Sequence, residues 1–268
     1  MQTKSTKSGI LYHDQGQGMP LVLCHGFAET SAIWDLQVTN LSANYRCIRP
    51  EWPGAGISPL GSRPFTMEMG ADLINDILRQ EGLSYCVVLG HSMGGYIAMA
   101  FVEKYESQLL GLGLIHSSAY ADDVEKIEIR QKVIEVVRKG GKSAFLRSMI
   151  PSLYSKIHLE KQQLAIEKHY SMAMKMSDEG LVQYYNAMIQ RPDRRVLLAS
   201  LACPVLFVIG TDDIAIPQQL MLQQASLPTL AMIEVMPEVG HTSMWEEPQN
   251  LNFILNKFCK YIASRKMM

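Results

Sequence analysis

The sequence predicts an α/β domain built on a mostly parallel sheet, and three features predict it. Short apolar runs bounded by Gly or Pro alternate with longer amphipathic segments, the pattern of βα units. The stretch "GHSMGG", Gly90 to Gly95, lies at the seam between the strand-like "SYCVVL" and the helix-like "YIAMAF". One stretch, about residues 120–191, breaks the alternation with roughly 70 residues free of any strand-like run, so a helical insertion is expected inside the sheet domain.

In chain order the strand candidates are "PLVLCHG", "YRCIRPEWPG", "SYCVVLG", "LLGLGLIHSS", "CPVLFVIGTDD" and the shorter "LAMIEVMP". Helix candidates occupy 31–41, 66–80, 94–104, 217–225 and 245–262. Within the interruption, apolar residues recur at helical spacing (Ile127, Ile134, Val137; Leu164, Tyr170, Met174; Leu181, Tyr184, Met188). Gly140-Gly141, Pro151 and Pro192 punctuate it, which predicts three or four helices. The domain reading is a core of 1–119 and 192–268 with an insertion at 120–191.

Twenty-five Lys and Arg against 26 Asp and Glu leave a formal net charge of -1, so no footprint for nucleic acid is present and a small-molecule partner is expected. The five cysteines are scattered without CxxC spacing and read as reduced core residues. No window approaches the run of about 18 apolar residues a membrane span needs, and "MQTKSTKSGILYH" has no apolar signal region; the cytoplasm is the expected compartment. No cluster has metal-ligand spacing, so neither metal nor organic cofactor is expected.

A sharp strand-to-helix turn forces its central residue into a strained backbone, and Gly90 and Gly94 remove bulk on either side of Ser92. The hydroxyl is then presented at the carboxyl edge of the sheet, where open α/β folds bind ligands. The amide of Met93 falls at a helix N-terminus, suited to a developing negative charge.

A serine nucleophile needs a base, and the base needs an acid to fix its tautomer. His241, in "EVGHTSMWEEP" between the last strand and last helix candidates, is the best-placed base; His116 at a strand end is the rival. His25 is expected to order the "HGF" loop, His91 to point away from the site, and His13, His158 and His169 to be surface or packing residues. "FVIGTDDIAIP" offers Asp212 and Asp213 after a strand, giving the chain order Ser, Asp, His. Asp122 and Asp123 read as a polar helix start. The loop after the first strand, "LCHGFAET", can supply a second oxyanion donor from the Phe27 amide, with Gly26 permitting close approach.

Taken in order, "PLVLCHGF", "PEWPGAGIS", "VVLGHSMGG", "PVLFVIGTDDIAIP" and "GHTSMWEEPQNLN" resemble the α/β-hydrolase superfamily, specifically esterase-like members with a helical cap. The resemblance implies an eight-stranded sheet, a cap inserted after the sixth strand, and the triad Ser92, Asp213 and His241. It selects Asp213 over Asp212, because the acid usually stands third after the glycine (Gly210) and four before the proline (Pro217). Glu51 departs from the Asp that relatives carry before this turn and is expected to organise its loop through backbone hydrogen bonds. Ser92 tells against the dehalogenase and epoxide-hydrolase branches, whose nucleophile here is Asp.

The expected function is cleavage of a carboxylic ester, or a related lactone or thioester, of small to medium acyl size through an acyl-enzyme. Carbon–carbon bond hydrolysis and peracid formation share the machinery, and a ligand receptor with slow hydrolysis is the alternative of another class. Met149, Met172, Met174, Met176 and Met188 in the insertion read as flexible core filling or as an adaptable pocket lining.

Overall fold

The computed structural model describes residues 1–265. Its strands are β1 (Gln2–Ser5), β2 (Leu11–Gln15), β3 (Pro20–Cys24), β4 (Arg46–Pro50), β5 (Cys86–His91), β6 (Leu109–Ile115), β7 (Val205–Gly210) and β8 (Ala231–Met236). The helices of the sheet domain's first half are α1 (Asp35–Leu41), α2 (Met67–Gln80) and α3 (Met93–Tyr105). Between β6 and β7 lie α4 (Val124–Arg138), α5 (Lys142–Ser152), α6 (Lys156–Lys161), α7 (Gln163–Met174), α8 (Asp178–Gln190) and α9 (Arg195–Ser200). Then come α10 (Gln218–Ala225), α11 (Ser243–Glu246) and α12 (Pro248–Arg265).

The sheet has eight strands in the order β1-β2-β4-β3-β5-β6-β7-β8. Neighbours from β4 to β8 are parallel, while β1–β2 and β2–β4 are antiparallel. Every residue of β5 and β7 is buried, which is why interior strands covered on both faces read as continuous apolar runs. β8, at the edge, alternates exposed and half-buried positions until Met236.

Sequence reasoning found neither β1 nor β2. Both are short and polar, and their charges are matched across the sheet: Asp14 accepts from Lys4 Nζ at 2.7 Å and from Arg46 Nη2 at 2.6 Å.

The helices follow their residues. Thr66 caps α2 by accepting the Met69 amide at 3.1 Å, and Ala71, Ile74 and Leu78 bury one stripe of it. The insertion holds five helices, α4 to α8, rather than three or four, before the short α9. Gly140, at φ 83°, follows α4 as expected, but Pro151 sits inside the last turn of α5 instead of ending it. The break between α6 and α7 falls at Gln162 (φ -112°, ψ 30°), with no glycine or proline to announce it.

Register sets the carboxyl ends of the parallel strands side by side: Cys24 pairs with Gly90, Gly90 with Leu114, and Leu114 with Phe207. The loops that follow β3, β5, β6 and β7 therefore open at one edge. All cysteines are free, with four buried and Cys203 half-buried. Among the described residues no helix is long and apolar enough to cross a membrane.

Candidate active site

Ser92 joins β5 directly to α3 with φ 51° and ψ -119°, a region that costs a non-glycine residue about 1–3 kcal/mol and persists only when its surroundings enforce it. The enforcement is visible. The Ser92 amide donates to Ile115 O at 3.1 Å, and Ser117 Oγ donates to Ser92 O at 2.7 Å. A Cβ on Gly94 would overlap the Cys24 carbonyl, and one on Gly90 would overlap the Gly94 backbone. Gly95, which sequence reasoning did not single out, is required as well, because Ser117 occupies its Cβ position.

Asp213 and His241 meet across the loops after β7 and β8. Their Oδ2 and Nδ1 atoms lie 2.8 Å apart, while Asp213 Oδ1 accepts the amides of Ala215 at 2.9 Å and Ile216 at 3.0 Å. Burial alone would raise the Asp213 pKa, but the charge and hydrogen bonds of His241 and His116 hold it far below the usual carboxylate range. Burial likewise opposes the imidazolium of His241, and the Asp213 charge reverses this and raises its pKa above 6.5. With Nδ1–H donating to Asp213, Nε2 is left as the acceptor. Asp212 is exposed and bonds its neighbour Thr211 at 3.1 Å.

Ser92 and His241 border one cavity of about 160 Å3, together with Phe27, Glu29, Tyr96, Arg130, Met149, Leu153, Tyr185, Met188, Ala215 and Ile216. Gly26 lets the Phe27 loop approach the serine: a Cβ there would sit 3.1 Å from Ser92 Cβ. Met93 begins α3 and is fully buried. Met149 and Met188 border the cavity, whereas Met172 and Met176 are buried packing.

His116 is drawn to the same carboxylate, with Nδ1 at 3.2 Å from Asp213 Oδ2 and Nε2 at 2.8 Å from Ser243 Oγ. It is fully buried and does not border the cavity. His116, Asp213 and His241 have ligand-type atoms within 4.8 Å of one another, but their hydrogen bonds engage Asp213 Oδ2 with both imidazoles. His25 orders its loop as expected, accepting the Trp52 amide at 3.3 Å through Nε2 and the Trp52 indole at 3.0 Å through its carbonyl. His158 and His169 are buried.

Glu29 and Glu246 carry no marking in the sequence, and Asp122 and Glu51 depart from their expected roles. Glu29 is a buried cavity carboxylate that accepts the Gly26 amide at 2.6 Å and faces His91 Nδ1 at 3.0 Å; burial would raise its pKa, but His91 and His169 bring it down to about 2. His91 Nε2 in turn lies 2.8 Å from the His241 carbonyl, so His91 braces the base's own backbone. Glu246 fixes that loop further by accepting the amides of Gly240 and Thr242 at 2.9 and 3.0 Å. Asp122 is no helix start: Asp123 caps α4, while Asp122 is buried between Arg130 and Arg191. Glu51 bonds Ser31 in the loop after β3, through amide and hydroxyl, rather than the amides of its own turn, and its Oε2 makes no hydrogen bond but lies 3.8 Å from His25 Nε2. An acidic residue in "HGFAET" or "MWEEP" carries no periodicity, so only its position after a strand end could have marked Glu29 and Glu246.

The family model described as "alpha/beta hydrolase fold" matches residues 19–248. Among solved structures, a thermophilic esterase from Thermogutta terrifontis, malate bound, superposes with a TM-score of 0.91 at 31% identity, covering 97% of this chain and 98% of that one. Epoxide hydrolase 3 of Xenopus tropicalis is 25% identical over 94% of this chain and 76% of its own length. The putative carbamate hydrolase RutD of Pantoea ananatis is 24% identical over 95% of this chain and 93% of its own.

Proposed function

This chain belongs to the alpha/beta hydrolase family, and from that premise we propose that it cleaves carboxylic esters, or related lactones and thioesters, through Ser92, His241 and Asp213. In this reading the segment 120–191 is a cap that closes the acyl pocket. The observation that carries it is the 2.8 Å His241–Asp213 pair, with His241 and Ser92 bordering the same cavity. Ser92 Oγ attacks the carbonyl carbon as His241 Nε2 takes its proton. The amides of Phe27 and Met93 receive the oxyanion, and Asp213 stabilises the imidazolium. His241 then returns the proton to the leaving alcohol, and water repeats the sequence to release the acid.

The Thermogutta esterase supports the ester class. The Xenopus relative's name points to epoxides, but the elbow here carries a hydroxyl rather than a carboxylate, which favours acyl transfer. The test is labelling by a serine-directed fluorophosphonate together with turnover of a panel of esters, lactones and thioesters. The parent should label and turn over repeatedly, and Ser92→Ala should do neither while keeping its circular dichroism. Labelling that persists in Ser92→Ala would remove the mechanism; a stall after one product per chain would point to a receptor.

A further inference from the structure

The cavity beside Ser92 contains a cation that the chemistry above does not use. Arg130, on α4, borders it with Tyr96, Tyr185 and Met188. Its guanidinium lies 5.5 Å from the Tyr185 ring centroid, and that ring packs 4.3 Å from the ring of Phe27. A guanidinium has two edges that match a carboxylate, Nε with Nη2 and Nη1 with Nη2. The first is occupied, since Nε and Nη2 donate to Asp122 Oδ2 and Oδ1 at 2.6 and 3.3 Å. No hydrogen bond to a described residue engages Nη1.

Charge on this wall does not cancel. Arg191 Nη2 also donates to Asp122 Oδ1, at 2.9 Å, so two guanidiniums share one buried carboxylate and one positive charge is left over. Arg191 is committed elsewhere: it donates to the carbonyls of Tyr120 and Met188 and lies 3.8 Å over the Tyr96 ring. The pair of guanidiniums therefore keeps a net positive charge, and Arg130 is the member of the cluster that borders the cavity. The cavity's own carboxylate, Glu29, is engaged by the Gly26 amide at 2.6 Å and by His91 Nδ1 at 3.0 Å rather than by Arg130. A partly buried cation with a free donor edge favours an anion at that edge.

We propose that Arg130 seats a carboxylate of the substrate, so that the esters this site takes are monoesters of short dicarboxylic acids or esters otherwise bearing a free carboxylate. The substrate class rests on the ester-hydrolase reading; the seat itself does not. The test compares kcat/KM for monomethyl succinate against methyl butyrate, and monomethyl glutarate against methyl valerate, by acid release in a pH-stat. Each pair has equal acyl length and differs in terminal charge. The parent should prefer the charged member, and Arg130→Gln should cut that preference about tenfold or more, mainly through KM. Arg130→Lys, which keeps charge but loses the planar edge, should fall between. Asp122 retains Arg191 in both variants, so neither leaves a buried carboxylate unpaired.

A preference unchanged by Arg130→Gln, or equal losses on charged and neutral esters, would overturn the proposal. Ligand-observed NMR titration of succinate needs no turnover and separates the two readings. Succinate binding that Arg130→Gln abolishes, in a parent that hydrolyses no ester, upholds the seat and sinks the ester reading. Butyrate ester turnover without succinate binding does the reverse. Should Arg130→Gln fail to fold by circular dichroism, Arg130→Lys and the parent's succinate titration decide.

Discussion

The sheet edge and the helices inserted between β6 and β7 border the same cavity, yet they are built differently. At the sheet edge, position is set by backbone contacts: Gly94 lies against the Cys24 carbonyl, Asp213 Oδ1 takes two amides, and Glu246 ties down the His241 loop. In the insertion, side chains meet side chains. α4 buries only Ile134 and Val137, and its cavity residue Arg130 is held by an ion pair. The difference teaches where precision is needed. Atoms that react must be fixed to within a fraction of an ångström, whereas an adaptable wall can be made of Met, Tyr and Arg.

The largest effect expected is at the sheet edge. Asp213→Asn should lower kcat on the order of 10⁴-fold, because an amide no longer favours the right His241 tautomer, while Asp212→Asn, at an exposed position, should change it little. Steady-state kinetics of both variants checks this, and reversed effects would misplace the acid by one residue. The same carboxylate sets the pH profile. As the proposed base His241 must be neutral, and its pKa is raised, so the parent's kcat/KM should fall on the acid side with a midpoint above 6.5. In Asp213→Asn that midpoint should move down.

A matched pair of glycine substitutions probes rigidity directly. Gly94→Ala forces a Cβ into the Cys24 and His25 carbonyls and should cost about 3 kcal/mol or prevent folding, since backbone cannot yield. Gly180→Ala in α8 places a Cβ 3.2 Å from the Ser177 hydroxyl and at ordinary contact, 3.7 Å, from Gly54 O and Leu60 Cδ1, and the gain in helix propensity should keep the net change within about 1 kcal/mol. Urea denaturation of the two proteins measures it; equal losses would erase the contrast between the regions.

The seam between the regions carries a pH-dependent term. His169 on α7 is buried with Nε2 unpartnered, 4.0 Å from Glu29, and burial lowers its pKa to about 4 despite that carboxylate. Between about pH 6.5 and 4 the unfolded chain binds this proton more readily than the folded one, so stability is lost as pH falls through that window, by up to about 3 kcal/mol. Glu29, lowered to about 2, contributes its own loss mainly below 4.5. Chemical denaturation at intervals from pH 7 to 4 should show a shallower decline in His169→Phe than in the parent; parallel curves would remove His169 as the cause.

The smallest effect belongs to the wall itself. Each methylene of an acyl chain buried in the cavity should contribute about 0.8 kcal/mol, roughly fourfold, until the space is filled. Across p-nitrophenyl esters from acetate to palmitate, kcat/KM should rise and then fall, and Met188→Phe or Met149→Phe should move the optimum to shorter chains. A profile still rising at palmitate would refute a closed pocket.

The sequence by itself determined the parallel sheet, the turn at Ser92 and the helical interruption. Those features are local: continuous apolar runs such as "CVVLGH", glycines spaced around a serine, and apolar residues at helical intervals follow from the chain's own geometry and need no distant partner. Only the tertiary structure decided that His241 and not His116 faces the cavity. Both rings reach Asp213 within 3.2 Å, and the choice depends on where β6 and the loop after β8 end relative to the cavity. The tertiary structure also turned Glu29 and Asp122 from unremarkable polar residues into buried charges and Arg130 into a partly buried one. A charge's meaning lies in its burial and its partners, and Asp122 finds Arg191, 69 positions away, only after α4 to α8 have folded back.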